Sequence, residues 1–178
     1  VCINRGEPGI IHHLAHGRVE MGEFTDTGVI EVVASLFTGA GLDCRILSDL
    51  GLARWRKLVW NVPFNGLSIA AGGIDTQRIL ADPALVGRTR ALMHEIIAGA
   101  AAFGHEINPA FAESNIQGTL EMGAYQPSSL VDFLAGNAVE VEAIWGEPLR
   151  QAGARNVATP ELEKLYFEIC RATGNEPR

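Results

Sequence analysis

A lysine and two asparagines recur at four-residue intervals in the segment Arg54-Trp55-Arg56-Lys57-Leu58-Val59-Trp60-Asn61-Val62-Pro63-Phe64-Asn65. At 3.6 residues per turn, Lys57, Asn61 and Asn65 drift by only about 80° around a helix, so one ammonium and two carboxamides share a face. An ammonium can stabilise negative charge developing on an oxygen, and each amide both donates and accepts. The neighbours Trp55, Leu58, Val59, Val62 and Phe64 are apolar, which sets this polar stripe in a core-like helix, where amides need partners. A plainer use of the same residues is that the asparagines satisfy loop backbone groups while Lys57 reaches water along its own stem. Pro63 sharpens the question, because a proline inside a helix removes the bond to the carbonyl of Val59 and bends the chain, at about 3 kcal/mol in an ideal helix.

Glu140 and Glu142 form a second polar cluster, on a helix expected to carry little other charge between Asp132 and Glu147. Residues two apart point to different faces of a helix, so Glu140 is the one that can share a stripe with Asp132. Without a partner both read as ordinary exposed acids. His12, His13 and His16 have no carboxylate or cysteine at ligand spacing, and no metal site is expected. Neither GxGxxG nor GxxxxGK[ST] occurs, so the chain shows no phosphate cradle of its own.

The elements that must position these groups change character along the chain. Ile10-Ile11 and Arg18-Val19-Glu20-Met21 flank His16-Gly17 and predict a hairpin within residues 9–24. Val29, Val32, Val33, Leu36 and Phe37 follow at helical spacing, with a stop at Gly39 or Gly41 and a strand at Cys44-Arg45-Ile46-Leu47. After Ser48-Asp49, which can cap a helix, nothing alternates with period two. Asp82-Pro83 starts a helix whose stripe of Leu85, Val86, Leu92, Met93, Ile96, Ile97, Ala100 and Phe103 ends at Gly104. Thr159-Pro160 repeats that start, with Leu162, Leu165, Tyr166 and Ile169 as the buried face and Gly174 as the stop. Between them the turn-rich Tyr125-Gln126-Pro127-Ser128-Ser129 leads into a helix carrying Leu130, Phe133, Val141, Ile144 and Leu149. The expected fold class is mainly α, an all-helical domain preceded by a short α/β piece, with a boundary near residue 48.

In 178 residues, 47% apolar and 20% charged, the composition is that of a folded globular chain rather than a disordered one. The net charge of −7 disfavours nucleic-acid surfaces, which need an excess of basic side chains. No apolar stretch reaches the roughly 18 to 20 uncharged residues that a membrane-spanning helix requires, the longest apolar runs being broken by charges or Gly. Cys2, Cys44 and Cys170 are odd in number and lack CxxC spacing, so no disulfide framework is expected and a reducing cytoplasm fits best. The opening Val-Cys-Ile-Asn has no initiator Met and no signal pattern, and reads as a fragment lacking its N-terminal part.

Taken together, Trp55-x-Lys57-x-x-x-Asn61-x-x-x-Asn65, Pro127-Ser128-Ser129-Leu130-x-Asp132, Glu140-Val141-Glu142 and Gly146 resemble the C-terminal half of the ketopantoate reductases. The resemblance extends to Met21-Gly22-Glu23 and to Ala158-Thr159-Pro160 with its Leu-rich helix, and so covers almost the whole chain. It implies an NADP-binding Rossmann-type domain followed by a helical domain of the 6-phosphogluconate dehydrogenase C-terminal-like kind. Residues 1–47 would then be the remnant of the nucleotide domain, with the cofactor-binding motif upstream, and residues 48–178 the substrate-binding and dimerisation domain.

The implied reaction is reduction of ketopantoate to pantoate by NADPH, in pantothenate and coenzyme A biosynthesis. By the same resemblance Lys57 is the general acid, Asn61, Asn65 and Ser128 bind the small 2-oxo acid, and Glu140 is the catalytic acid facing the site. In physical terms, a carboxylate near Lys57 would orient the ammonium and accept a hydrogen bond from the substrate hydroxyl. The chain departs from many members by having Asn137-Ala138-Val139 where Arg-x-Thr precedes the acidic pair, and Tyr125 where some carry Asn. These departures bear on which acid is reduced, so a paralogue acting on another 2-oxo acid is the main enzymatic alternative. The other alternative is a non-catalytic helical dimerisation module with a second copy as its partner through the apolar helix 83–103, which predicts Lys57 buried in a salt bridge, with no cavity between it and Ser128.

Overall fold

The computed structural model describes residues 2–5, 7–15 and 17–177. It divides into two compact units, residues 1–53 and 54–178. His16, expected at a turn, lies outside the described residues.

In the first unit, strand β1 (Cys2–Arg5) pairs antiparallel with β2 (Ile11–Ala15), and β3 (Val19–Met21) pairs parallel with β4 (Cys44–Ile46) across helix α1 (Ile30–Gly39). The expected hairpin between the Ile10-Ile11 run and Val19–Met21 is therefore wrong in its pairing. Its reversal comes earlier, at Glu7-Pro8-Gly9-Ile10, where Ile10 N donates to Glu7 O at 2.8 Å and Gly9 has φ +88°. Proline and then a positive-φ glycine at the two central positions are what a type II turn requires. Val19–Met21 instead finds its partner through a crossover helix, as parallel strands must.

The second unit is helical: α2 (Leu50–Ala70, which begins in the first unit), α3 (Thr76–Ala81), α4 (Pro83–Ala101), α5 (Ala110–Glu121), α6 (Ser128–Leu134), a π-helical turn (Glu142–Gly146), α7 (Glu147–Ala154) and α8 (Pro160–Thr173). The fold is thus mainly α with a short α/β piece ahead of it. Val59, Val62, Phe64 and Leu67 of α2, Leu92 and Met93 of α4, Leu130 of α6, Trp145, and Leu162, Leu165 and Ile169 of α8 have no exposed surface. Each such side chain contributes about 1.5 to 3 kcal/mol by leaving water. The Asp82 carboxylate caps α4 by accepting from Ala84 N at 2.8 Å, and α8 stops at Gly174 in the left-handed conformation.

Two expectations fail in this unit. The single helix through residues 130–149 is broken, because α6 ends ahead of Gly136 and residues 135–140 are irregular before the π turn. Glu140 therefore shares no helical stripe with Asp132, whose carboxylate accepts from Asn137 Nδ2 at 3.3 Å. Thr159 does not cap α8 with its side chain. The two oxygens of Glu95, from α4, accept from Glu161 N at 2.9 Å and Leu162 N at 2.8 Å.

Candidate functional site

Helix α2 carries the first group of candidates from surface to interior. Lys57 is exposed, Asn61 is half-buried and Asn65 is 1% exposed. This gradient follows from the 80° drift of the stripe, which turns each successive residue further toward the core. The Lys57 ammonium makes no hydrogen bond or ion pair with any described residue. Its helix is held by Trp55, which stacks on Phe103 with centroids 6.0 Å apart, and by Trp60, whose Nε1 donates to Thr119 Oγ1 at 2.8 Å. The lysine thus stands on a fixed backbone with a free head.

Asn65 uses both ends of its carboxamide. Its Nδ2 donates to Asn61 O at 3.2 Å, and its Oδ1 accepts from Ser129 N at 2.9 Å. Pro127 offers no side-chain cap to α6, so an orphan amide at that helix start is satisfied from α2. Ser129 is buried and Ser128 beside it is exposed. The structure therefore joins Lys57, Asn61 and Asn65 on one helix and ties the last of them to the backbone next to Ser128.

Glu140 comes from a different element, the segment between α6 and the π turn. It is exposed, at the end of the irregular segment, and its carboxylate has no partner among the described residues. It lines a cleft of about 510 Å³ together with Val139, Glu142, Asn175 and Glu176. None of Lys57, Asn61, Asn65 or Ser128 lines that cleft, and no ion pair joins Glu140 to Lys57. The expected proximity of Glu140 to Lys57 is not expressed as a bond between them.

The groups that hold this region are not marked in the sequence as site residues. Glu142 Oε1 accepts from Tyr166 Oη at 2.6 Å and its Oε2 from Arg150 Nη1 at 2.6 Å. Trp145 Nε1 donates to Val62 O on α2 at 3.0 Å. Burial pushes the thiol of Cys170, the residue one turn beyond Tyr166, above its ordinary value, so it behaves as an inert core group. The sequence carries one weak signal for them, Trp145, since a buried indole N–H needs a hydrogen-bond partner.

The turns into α1 and α2 do not suit the phosphates of a dinucleotide. The turn from β3 into α1 gives the backbone amides of Thr27, Gly28, Val29 and Ile30 to the Glu23 carboxylate, at 3.1 to 3.4 Å. Those bonds, with that from the Thr27 hydroxyl first, hold Glu23 below the usual carboxylate range. The turn from β4 into α2 gives Leu52 N to Asp49 Oδ1 at 2.8 Å. A carboxylate already sits at each helix start where a phosphate would be seated.

The family model described as the C-terminal part of the ketopantoate reductases PanE/ApbA matches residues 49–170. The chain belongs to the ketopantoate reductase family. A 2-dehydropantoate 2-reductase from Nostoc sp. is 34% identical over 176 residues, covering 95% of this chain and 55% of the relative. Among solved structures, the 2-dehydropantoate 2-reductase from Geobacter metallireducens is 42% identical with a TM-score of 0.91, covering 97% of this chain and 58% of that one. The enzyme of the same name from Methylococcus capsulatus is 39% identical with a TM-score of 0.86, covering 94% and 58%. The chain thus spans just over half the length of these ketopantoate reductase relatives. No helix among the described residues is long and apolar enough to cross a membrane, and no cluster of His, Cys, Asp and Glu there could hold a metal ion.

Proposed function

We propose that this chain is the substrate-side part of a 2-dehydropantoate 2-reductase, an oxidoreductase that reduces the 2-oxo group of ketopantoate to the hydroxyl of pantoate. Residues 1–47 are read as the tail of a nucleotide-binding domain and 48–178 as the domain that binds the oxo acid. The observation that carries the reading is Lys57: an exposed ammonium without a partner among the described residues, on a helix whose later part, from Val62 to Ile69, is packed into the core, with Asn61 one turn further in. A non-catalytic dimerisation module would call for this lysine to be buried in a salt bridge, and it is neither.

Reduction of a 2-oxo group leaves negative charge on its oxygen. Lys57 stabilises that charge and hands the oxygen a proton, a role worth about 10² to 10⁴ in rate. Asn61, whose own side chain takes no part in the Asn65 bond, is the amide available to a second oxygen of the substrate. Asn65 contributes by fixing the start of α6 and hence the exposed Ser128 hydroxyl. Glu140 supplies a carboxylate with spare acceptor capacity for the substrate hydroxyl. The reductant implied by the resemblance is NADPH. The turns into α1 and α2 leave its phosphates no seat, and the roles of Lys57, Asn61, Ser128 and Glu140 concern the oxo acid alone.

A substrate panel tests the reading. The full-length protein with NADPH should turn over ketopantoate with a higher kcat/KM than pyruvate, 2-oxoisovalerate or benzoylformate. A clear preference for one of the others makes it a reductase of that acid, and no turnover of any 2-oxo acid removes the proposal.

A further inference from the structure

The Glu140 carboxylate, two residues ahead of Glu142, has no partner among the described residues, its residue being tied only by the backbone bond from Ile144 N to Glu140 O at 3.1 Å, whereas Glu142 is held on both carboxylate oxygens. The Tyr166 bond reaches α8 and the Arg150 bond reaches α7, each at 2.6 Å, short as bonds to an ionised carboxylate are. Gly146 is the counterpart of this arrangement, since a Cβ there would lie 2.5 Å from Glu142 Oε2 and 3.1 Å from Arg150 Nη1. The carboxylate therefore folds back over the backbone of its own π turn, into space that a Cβ at position 146 would take from it. At the other end of the turn Trp145 is fastened to α2 through Val62 O, against Gly66, where a Cβ would lie 2.7 Å from the indole nitrogen. The segment that begins with Glu140 is thus anchored to three helices, one of them the helix that bears Lys57.

We infer that Glu142 is a positioning residue of the reductase: with Tyr166 and Arg150 it locks the π turn so that the Glu140 carboxylate is presented at a fixed place in its cleft. The inference rests on the role proposed for Glu140. A π turn departs from the regular helical ladder and needs such side-chain anchors to persist. Releasing Glu142 lets the preceding residues shift by an ångström or more, which for a group acting on substrate costs about a hundredfold at most.

A double-mutant cycle in the full-length enzyme tests this, with kcat/KM for ketopantoate as the readout and thermal unfolding as the control. Glu142→Gln should lower kcat/KM by about tenfold or more in the wild-type background and by less than about twofold in a Glu140→Ala background, because its effect passes through Glu140. Equal losses in both backgrounds overturn the inference while leaving the role of Glu140 standing, and no loss in the wild-type background overturns it as well. If Glu140→Ala alone changes nothing, the role of Glu140 fails and the inference with it. Tyr166→Phe, which deletes a single hydroxyl, repeats the cycle if Glu142→Gln lowers the unfolding temperature too far to assay, and the same outcomes decide.

Discussion

Replacing Asn65 by alanine separates holding the fold from holding substrate within one helical stripe. The side chain is 1% exposed, and its Oδ1 is the acceptor for the amide of Ser129, itself 4% exposed. Removing it leaves a buried N–H without a partner, which costs about 1 to 3 kcal/mol. In a chain of this size each kcal/mol corresponds to about 2 to 4 °C in Tm. Asn61→Ala is the matched comparison, because the bond between the two residues uses the Asn61 backbone carbonyl, which survives the change. Its stability should stay within about 0.5 kcal/mol of wild type. In turnover assays, however, Asn61→Ala should raise KM for the oxo acid about tenfold, the worth of a hydrogen bond to a charged ligand. Urea denaturation of the three proteins gives the stabilities and initial rates give KM. The reasoning fails if Asn65→Ala is as stable as wild type, or if Asn61→Ala loses as much stability as Asn65→Ala.

Other perturbations follow from the same structure. Gly66→Ala places a methyl 2.7 Å from both Leu165 Cδ2 and Trp145 Nε1 and should cost at least about 1 to 3 kcal/mol in denaturant melts. Gly87→Ala and Gly118→Ala, with nothing within 4 Å, should instead each stabilise their helices by about 0.5 to 1 kcal/mol. Ser68→Ala should be neutral or stabilising by about 1 kcal/mol, since the buried hydroxyl has no partner among the described residues and its removal leaves nothing unpaired. Burial raises the pKa of Glu95 against its two backbone bonds, so its contribution is complete below the ordinary carboxylate value and is lost as pH rises through the elevated folded one. Glu95→Gln should flatten that part of a stability profile taken from pH 4 to 7, and an unchanged profile would count against Glu95 as its source.

Local signals are legible where they are complete within a few residues. Asp82-Pro83 and the stripe ending at Gly104, and the helix after Thr159-Pro160 with its stop at Gly174, need only capping chemistry and period 3.6, and both helices are present. Lys57, Asn61 and Asn65 fall on one helix face for the same reason. What escapes depends on partners distant in sequence. The parallel pairing of Val19–Met21 with Cys44–Ile46 carries no mark on either strand alone, and His16-Gly17 competes with Pro8-Gly9 as the turn that reverses the chain. Helix α8 is capped from 66 residues away by Glu95, and the amide of Ser129 is satisfied from 64 residues away by Asn65. The irregular residues 135–140 after α6 are why a 3.6-residue reading wrongly sets Glu140 on a helix with Asp132, and the π turn that follows defeats such a reading by construction, leaving Glu142 without a role. The family resemblance points to Glu140, while the residues that hold its segment emerge only from the geometry.

The central claim is that Lys57 serves the oxo group rather than the fold, and the turnover of Lys57→Ala tests it most directly. Because the ammonium bonds to no described residue, the variant should melt within about 1 °C of wild type. Its kcat for NADPH-dependent reduction of ketopantoate should fall by at least about a hundredfold. A kcat within about tenfold of wild type, or a loss that tracks a lowered melting temperature, would contradict the claim.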